Sequence, residues 1–435
     1  MKRWNIYFCL VTSMLLVIAG CSGKKEQEPE RNTEEVESLK PIEGIWNGSI
    51  EVPGQPLPII LSFDGMGGTI SIPVQGLQDY KLTSVTVDES KVFFDMNLQG
   101  QHITFDGNVA QDRMTGTFTQ QGQSFPFELT KGSAEEVVET GEVVQVEVEN
   151  GSLDGLLEMP EGTEPFPLMV IIAGSGPTDH DGNSLALPGK NNSLKMLAEE
   201  LAAEGVATIR YDKRGVGVNA TLAGKEEDLR FRHFIDDAAA LVKYAKKDPR
   251  FSTVGIIGHS EGSLLGMVAA RQSDADTFIS IAGAGQPIDQ VLLTQLQAQV
   301  PENVRKEATA ILEALKRGEK VKTVSAELQG LFRLSVQPYM MSWLAFDPVE
   351  EVKKLQIPVL LVNGDRDIQV PVEEAARLHE AKQDAELLIV NRMNHILKES
   401  PEDREANMAT YSNPDLPLAK GLIEGIIGFL EVGKE

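Results

Sequence analysis

A serine between two glycines is the clearest chemical feature of the sequence. Residues 258–262 read Gly-His-Ser-Glu-Gly, with Ser260 at the centre. This spacing alone is common by chance, but here an apolar run at 254–257 precedes it and a helix-like run at 263–267 follows it. A serine on a sharp turn between a buried strand and a helix exposes its hydroxyl, and the glycines leave room for the strained backbone. The sequence therefore predicts Ser260 as the nucleophile of an acyl transfer.

The order of the six histidines along the chain narrows the choice of a base for this serine. Where a serine occupies such a turn, the acid and then the histidine follow it in the chain, and only His379 and His395 meet this order. His379 lies inside a predicted helix at 372–381, on what should be its exposed face. His395 follows the last predicted strand, in a loop that can carry an imidazole over Ser260. We therefore predict His395 as the base, and His259, beside the serine, as a packing residue.

Two aspartates compete for the role of the acid. Residues 364–371 read Gly-Asp-Arg-Asp-Ile-Gln-Val-Pro and follow a predicted strand at 359–363. The acid must hold the imidazole in one tautomer and stabilise its cation, so it should lie in the turn beyond the strand tip. Asp367 fits this position better, and Asp365 is expected to cap the turn. The predicted catalytic residues are thus Ser260, Asp367 and His395.

Backbone N–H groups must stabilise the negative charge that develops on the acyl oxygen. The N–H of Glu261, the residue after the nucleophile, is the first expected donor. The second is expected in the glycine-rich loop 174–183, where Ser175 is preferred and Gly174 and Gly176 stay open as alternatives. The predicted oxyanion hole is therefore formed by Ser175 and Glu261.

The same loop contains three residues that could bind a metal ion, namely Asp179, His180 and Asp181. A tight polar turn explains them at least as well, and no further ligands accompany them. The two cysteines, Cys9 and Cys21, lie near the N-terminus, so the body of the protein offers no thiolate ligand and no thiol nucleophile. We expect neither a metal ion nor a cofactor.

Short apolar runs alternate with amphipathic helix patterns over residues 143–435, after an opening hairpin at 143–148 and 153–159. Uniformly apolar strands are typical of a sheet covered by helices on both faces, so the alternation predicts a doubly wound, mainly parallel sheet. The predicted strands are 168–173, 206–211, 254–258, 278–282, 359–363 and 387–390, and the predicted helices are 193–204, 231–246, 261–271, 372–381 and 418–430.

The segment 286–348 interrupts this alternation with several helix patterns and no strand pattern. An insertion of this length between two strands can cover their ends, which predicts a helical cap. Its apolar stretch at 339–344 either packs the cap on the sheet or lines a substrate pocket.

Residues 41–132 have a different pattern, in which short strands recur about every ten residues with turn sequences between them. This predicts a small antiparallel all-β domain, either a sandwich or a barrel. The predicted strands are 59–63, 69–72, 85–87, 92–94, 103–105, 114–118 and 125–129.

Taken together, segments 173–183, 210–217, 258–262, 364–371 and 394–395 resemble the esterase D-type carboxylesterases, a bacterial family among the serine-aminopeptidase-like α/β hydrolases. The resemblance implies an α/β-hydrolase fold with a helical cap, a preceding β domain, the triad named above, and cleavage of short acyl esters through an acyl-enzyme. Within 210–217, Arg214 is expected to be structural and paired with Asp212. His180 departs from the family, which more often has arginine there.

The N-terminus predicts export and lipid attachment. Residues 1–20 have a basic start, an apolar run too short to span a bilayer, and small residues before Cys21. This resembles a bacterial lipoprotein signal, with Cys21 as the lipidated residue and the charged stretch 21–40 as a flexible tether. The net charge of −25 argues against nucleic acid and anionic membrane surfaces as partners. We expect a protein anchored in the cell-envelope membrane by its lipid, with its body outside the cytoplasm and a small ester as substrate.

Two other functions stay open. One is a cell-surface serine peptidase or aminopeptidase on the same fold, for which Asp289 or Glu327 could bind the substrate amine. The other is a non-catalytic lipoprotein whose β domain binds a ligand, and this protein would not react with a serine-directed fluorophosphonate.

The lipid anchor gives a first testable prediction. Replacement of Cys21 by alanine should abolish incorporation of a clickable fatty acid and release the protein from membranes or block its maturation. Cys9→Ala is the matched control, since Cys9 leaves with the signal peptide and its loss should change neither result. Equal incorporation in Cys21→Ala and the unaltered protein would exclude lipidation of Cys21.

Overall fold

The computed structural model describes residues 39, 41–52, 57–65, 67–72, 77–98, 101–120, 122–132, 141–184 and 189–432. They form two compact units, which we call the β unit and the α/β unit, divided between residues 139 and 140. The predicted signal peptide 1–20, Cys21, and all of the predicted tether 21–40 except Leu39 lie outside the described residues. Among the described helices, none is long and apolar enough to cross a bilayer.

The β unit is one antiparallel sheet of nine strands in the order β4-β3-β2-β1-β9-β8-β7-β6-β5. Its edge strands β4 and β5 are consecutive in the chain, with only Leu82 and Thr83 between them. Leu82 donates its N–H to Gly68 O in β3 (2.9 Å), and Thr83 donates to Asp95 O in β6 (2.7 Å). These two bonds bring the edges of the sheet together at the linker, so the sheet curls into a half-barrel, which is closer to the predicted barrel than to the sandwich. The strands are β1 Gly44–Ile50, β2 Leu57–Asp64, β3 Gly67–Ile72, β4 Leu77–Lys81, β5 Ser84–Asp88, β6 Lys91–Leu98, β7 Gln101–Ala110, β8 Arg113–Gln120 and β9 Gln123–Lys131.

Aromatic side chains fill the inside of this curled sheet. Phe94 stacks on Phe105 with ring centroids 4.5 Å apart, and Phe127 meets both rings edge-on. Trp46, in β1, is completely buried. The sequence pattern did not predict β1, whose glycines interrupt the apolar alternation, or β4, whose sequence Leu-Gln-Asp-Tyr-Lys is mostly polar.

The α/β unit contains an eight-stranded sheet in the order β10-β11-β13-β12-β14-β15-β16-β17. Strands β12 to β17 are parallel to one another, and the hairpin β10–β11 joins them through antiparallel pairing of β11 with β13. The predicted doubly wound, mainly parallel sheet is thus confirmed. The strands are β10 Glu142–Val148, β11 Gly151–Glu158, β12 Phe166–Ile172, β13 Ala207–Arg210, β14 Phe251–His259, β15 Phe278–Ile281, β16 Val359–Gly364 and β17 Glu386–Val390.

Helices cover both faces of this sheet. One apolar cluster joins the sheet to α2, α3, α8 and α9, and the other joins it to α1 and α11. The last helix begins at Leu422 rather than at the predicted residue 418. The helices are α1 Ser193–Ala203, α2 Phe231–Ala245, α3 Glu261–Ser273, α4 Ile288–Gln299, α5 Glu302–Lys316, α6 Gln329–Phe332, α7 Gln337–Trp343, α8 Pro348–Val352, α9 Val372–Ala381, α10 Arg404–Ala409 and α11 Leu422–Val432.

The segment 286–348, every residue of which the structure describes, folds into helices α4 to α7 without a strand, as the cap prediction requires. These helices share an apolar core of their own. Helix α7 attaches the cap to α2: the ring of Phe231 stacks on Trp343 with centroids 5.2 Å apart, and its N–H donates to Ser342 Oγ (2.8 Å). At least this part of the stretch 339–344 therefore packs the cap against the sheet layer.

Candidate active site

Ser260 lies on a strained turn between β14 and α3. Strand β14 ends at His259 and helix α3 begins at Glu261, so one residue makes the whole turn. Ser260 has φ 55° and ψ −117°, a conformation that costs a non-glycine residue about 1–3 kcal/mol. The turn is therefore imposed by its surroundings.

Close contacts between backbones explain the glycines on either side of Ser260. A Cβ on Gly258 would lie 2.3 Å from the carbonyl oxygen of Gly262, and a Cβ on Gly262 would lie 2.3 Å from the carbonyl oxygen of Ile172 in β12. No side chain fits at either place. The N–H of Ser260 donates to Ile281 O at the end of β15 (2.9 Å), so the strands on both sides hold the turn.

The structure brings the three predicted catalytic side chains into one hydrogen-bonded series. His395 Nε2 lies 3.1 Å from Ser260 Oγ, and His395 Nδ1 lies 2.8 Å from Asp367 Oδ2. The Asp367 side chain is fully buried and that of His395 is 6% exposed. The other carboxylate oxygen of Asp367 accepts from the N–H groups of Gln369 (2.8 Å) and Val370 (2.9 Å). This arrangement can remove the proton of Ser260 Oγ and stabilise the resulting imidazolium.

Asp365 has a different place from Asp367. Its Oδ1 accepts from the backbone N–H of Arg392 (2.6 Å), which ties the turn after β16 to the loop after β17. It is thus a bridging cap between two loops and takes no part in the contact with His395.

Buried polar groups fix the loop that carries His395. Asn394 donates to Thr410 Oγ1 (2.7 Å) and accepts from the N–H of Lys398 (3.1 Å). His259 Nε2 lies 2.8 Å from the carbonyl oxygen of His395, which can only accept, so His259 is the donor. Burial, followed by the neighbouring His395, lowers the pKa of His259 to about 4. The residue predicted to be packing is therefore a neutral donor that holds the backbone of the base.

Both predicted oxyanion residues lie beside Ser260. The N–H of Glu261 is the first of helix α3, one of the four that have no acceptor within their own helix. Gly174 is buried against the turn, since a Cβ built on it would lie 3.2 Å from Ser260 Cβ, and Ser175 follows it at the exposed edge. Two N–H groups from different elements can thus face an oxygen of an acyl group bound at Ser260.

A buried ion pair that the sequence analysis missed lies under these two residues. Lys213 Nζ donates to Glu261 Oε1 (2.7 Å) and to Gly174 O (2.9 Å), and Tyr339 OH in the cap donates to Glu261 Oε2 (3.0 Å). The side chains of Lys213 and Glu261 are 4% and 2% exposed. The one available signal was that Lys213 lies within the family-like segment 210–217.

The predicted pairing of Arg214 with Asp212 is wrong. Arg214 Nε donates to Asp237 Oδ2 in α2 (3.0 Å), and both side chains are 1% exposed. Asp212 instead accepts from the N–H (2.8 Å) and Nδ1 (2.7 Å) of His180, and its other oxygen accepts from Val218 N–H (3.0 Å). In the turn after β13, the side chains of residues 212 and 214 point to different neighbours. Their closeness in sequence does not show this. Thus His180 binds the carboxylate of Asp212, which the sequence analysis paired with Arg214. Position 180 is the one at which the family more often has arginine.

The other candidate residues of the sequence analysis lie outside the hydrogen-bonded series of Ser260, His395 and Asp367. Asp179 accepts from the N–H groups of Asp181 (3.0 Å) and Asn183 (2.8 Å), as a residue of a tight polar turn does. In the cap, the buried Asp289 pairs with Lys316, and Glu327 is exposed. His379 is half-buried on α9 rather than exposed as predicted.

The position of Asp367 predicts that Asp367→Asn slows covalent labelling of Ser260 by a fluorophosphonate, by as much as about 10⁴-fold. The new amide would donate to His395 Nδ1, so the proton would move to Nε2, which could no longer accept from Ser260. Asp365→Asn is the matched control, because its amide oxygen can still accept from Arg392. Labelling rates and melting temperatures of both variants should be measured. A slow Asp365→Asn beside a fast Asp367→Asn would make Asp365 the acid.

The buried His259 predicts a loss of stability in acid. Between its ordinary pKa of 6.5 and its folded pKa of about 4, the unfolded chain binds a proton that the folded protein does not. Stability is therefore lost as the pH falls below 6.5, by up to about 3 kcal/mol near pH 4. Urea unfolding of the protein and of His259→Gln, at pH about 7 and about 4.5, measures this. On acidification, His259→Gln should lose less free energy of unfolding than the unaltered protein. Equal losses would contradict the low pKa assigned to His259.

Known hydrolases are similar to this chain. Residues 190–401 match the family described as serine aminopeptidase, S33. Esterase EstD of Thermotoga maritima is 28% identical over 292 residues, which cover 66% of this chain and 67% of that protein. Among solved structures, Est1E from Butyrivibrio proteoclasticus (TM-score 0.43, 21% identity) covers 67% of this chain and 100% of its own. Proline iminopeptidase from Mycobacterium smegmatis (TM-score 0.44, 14% identity) covers 68% and 100%. The chain therefore contains an α/β-hydrolase domain, and its segment 190–401, which includes Ser260, Asp367 and His395, is similar to the serine aminopeptidase S33 family.

Proposed function

We propose that this chain is a serine carboxylesterase that hydrolyses short-chain carboxylic esters through an acyl-enzyme intermediate. The observation that supports this most strongly is the hydrogen-bonded series from Ser260 through His395 to Asp367, at the carboxyl end of the sheet. The relative named esterase EstD favours an ester as the bond cleaved. The preference for short acyl groups rests on the family resemblance.

The reaction follows from the hydrogen bonds of the series. His395 Nε2 takes the proton of Ser260 Oγ while the oxygen attacks the ester carbonyl carbon. The N–H groups of Ser175 and Glu261 stabilise the oxyanion of the tetrahedral intermediate. As this intermediate collapses, the imidazolium gives its proton to the leaving alkoxide, and the alcohol departs. Water, deprotonated by the same histidine, then attacks the acyl carbon. As the bond from this carbon to Ser260 Oγ breaks, the imidazolium returns its proton to Oγ and the acid is released.

Asp367 keeps His395 in the tautomer that this reaction needs. Its Oδ2 accepts from Nδ1–H, which leaves Nε2 free to accept from Ser260. Its other carboxylate oxygen accepts two bonds from backbone N–H groups, which hold the carboxylate in this position.

A peptidase that removes N-terminal residues is the second candidate, because the matched family is described as serine aminopeptidase. Such an enzyme needs a carboxylate for the α-ammonium group of its substrate. Asp289 is already paired with Lys316 and Glu261 with Lys213, and Glu327 is exposed. Two of these three carboxylates are therefore already neutralised, which favours an uncharged ester over a substrate with a free amine. Rates on p-nitrophenyl acetate, p-nitrophenyl decanoate and an aminoacyl p-nitroanilide distinguish the two functions.

The proposed location is the cell envelope, with Cys21 carrying the lipid and the acidic body outside the cytoplasm. The leader and lipobox-like sequence of residues 1–21 support it.

The esterase proposal predicts that Ser260→Ala abolishes both turnover of p-nitrophenyl acetate and fluorophosphonate labelling while the protein stays folded. His395→Ala should be nearly as severe, with a loss of several orders of magnitude in kcat. His379→Ala is the control for loss of an imidazole, and it should keep almost full activity because His379 lies outside the series. Labelling of Ser260→Ala at the original rate would identify another nucleophile, and an unaltered protein that neither labels nor turns over would favour the non-catalytic lipoprotein.

A further inference from the structure

The network of Lys213, Glu261 and Tyr339 lies directly beneath both expected oxyanion donors. Its central atom, Lys213 Nζ, contacts the carbonyl oxygen of Gly174 and the carboxylate of Glu261. It also lies 4.9 Å from the centre of the Phe234 ring, so its three N–H groups face one carbonyl, one carboxylate and one aromatic ring. These contacts and the burial of the side chain restrict where the ammonium group can lie.

The bond to Gly174 O has a direct consequence for Ser175. The carbonyl of Gly174 and the N–H of Ser175 belong to the same peptide group. Glu164–Pro165 is the only cis bond in the described part of the chain, so this peptide is trans and its C=O and N–H point in opposite directions. With the carbonyl held down by Lys213, the N–H must point away from the ammonium group. A charged donor on the carbonyl also polarises the peptide, which strengthens the N–H as a donor.

The bond to Glu261 links the second oxyanion donor to the first. The backbone N–H of Glu261 is one donor, and its side chain is held between Lys213 and the Tyr339 hydroxyl of cap helix α7. One ammonium group therefore connects the loop after β12, the start of α3 and, through Glu261, the cap.

We propose that Lys213 is a positioning residue for the oxyanion hole: it orients and polarises the Gly174–Ser175 peptide so that the Ser175 N–H faces the developing oxyanion. Glu261 and Tyr339 hold Lys213 in place for this task. The inference rests on the proposed esterase function, and it assigns Lys213 a role beyond neutralising the buried carboxylate of Glu261.

The decisive experiment compares Lys213→Met with the double variant Lys213→Met/Glu261→Gln. The single variant leaves a buried carboxylate without its cation, which can prevent folding. The double variant removes both charges, keeps the backbone N–H of residue 261, and leaves an amide that can still bond Tyr339. If Lys213 only balances the charge of Glu261, the double variant regains normal activity. If Lys213 orients the peptide, the loss persists in both.

We expect kcat on p-nitrophenyl acetate to fall about 10- to 100-fold in both variants, less than the roughly 10²- to 10³-fold loss for an absent oxyanion donor. KM should change little, because the oxyanion forms only after binding. The inhibition constant of an aryl trifluoromethyl ketone, whose serine adduct places an oxyanion in the same hole, should rise in parallel with the loss of kcat/KM. A purely structural role would lower the melting temperature without this parallel change.

Arg214→Met is the matched control, because it breaks an equally buried ion pair one residue along the chain, with Asp237. It should lower the melting temperature but leave kcat of the folded protein within a few-fold of normal. Normal kcat in the double variant, or in folded Lys213→Met, would overturn the inference while the esterase function stands. An unaltered protein without esterase activity or labelling would instead overturn the function itself, and the inference with it.

Discussion

The backbone crossing at Ser260 is the constraint on which the rest of the α/β unit depends. Gly258 at the end of β14, Gly262 in the first turn of α3 and Ile172 at the end of β12 approach so closely that no Cβ fits on either glycine. This contact forces the chain to reverse within one residue and gives Ser260 its positive φ. The strain is local, and it is balanced by the parallel pairing of β12 with β14 and by the apolar burial of α3 against the sheet. Weaker packing at any of these elements would let the turn relax and withdraw the hydroxyl.

The order of the strands explains how the other two residues of the series reach this turn. Ser260, Asp367 and His395 follow β14, β16 and β17, and the carboxyl ends of these parallel strands lie at one edge of the sheet. Strand β15 lies between β14 and β16, and the chain that leaves it forms the cap. The same edge therefore receives nucleophile, acid and base from separate loops, while the longest insertion can cover them.

The sequence predicted the features that depend on local patterns. It did not predict contacts between residues that are far apart in the chain. Apolar periodicity and glycine spacing report directly on local structure. They therefore predicted the strand before Ser260, the alternation of strands and helices, and the helical segment 286–348. Strands β1 and β4 were not predicted, because pairing with neighbouring strands, rather than an apolar alternation of their own, makes them strands. Arg214 was paired with a neighbour in sequence, although its partner Asp237 lies in α2. The contact of Lys213 with Glu261 joins residues far apart in the chain, so spacing could not reveal it.

The charges around His395 depend on the protonation of its buried neighbour His259. His259 and His395 have ring centroids 5.0 Å apart, so a charge on His259 would lie directly beside the catalytic ring. Burial lowers the pKa of His259 to about 4, so at neutral pH it remains an uncharged donor to the backbone of His395. On the other side of the ring, the buried carboxylate of Asp367 contacts Nδ1 of His395. The turn thus places two imidazoles side by side but lets only one of them accept a proton during the proposed reaction. The position of His259 in the pentapeptide 258–262 is therefore restricted in the residues it can accept. A lysine or arginine there would bring a permanent charge next to His395.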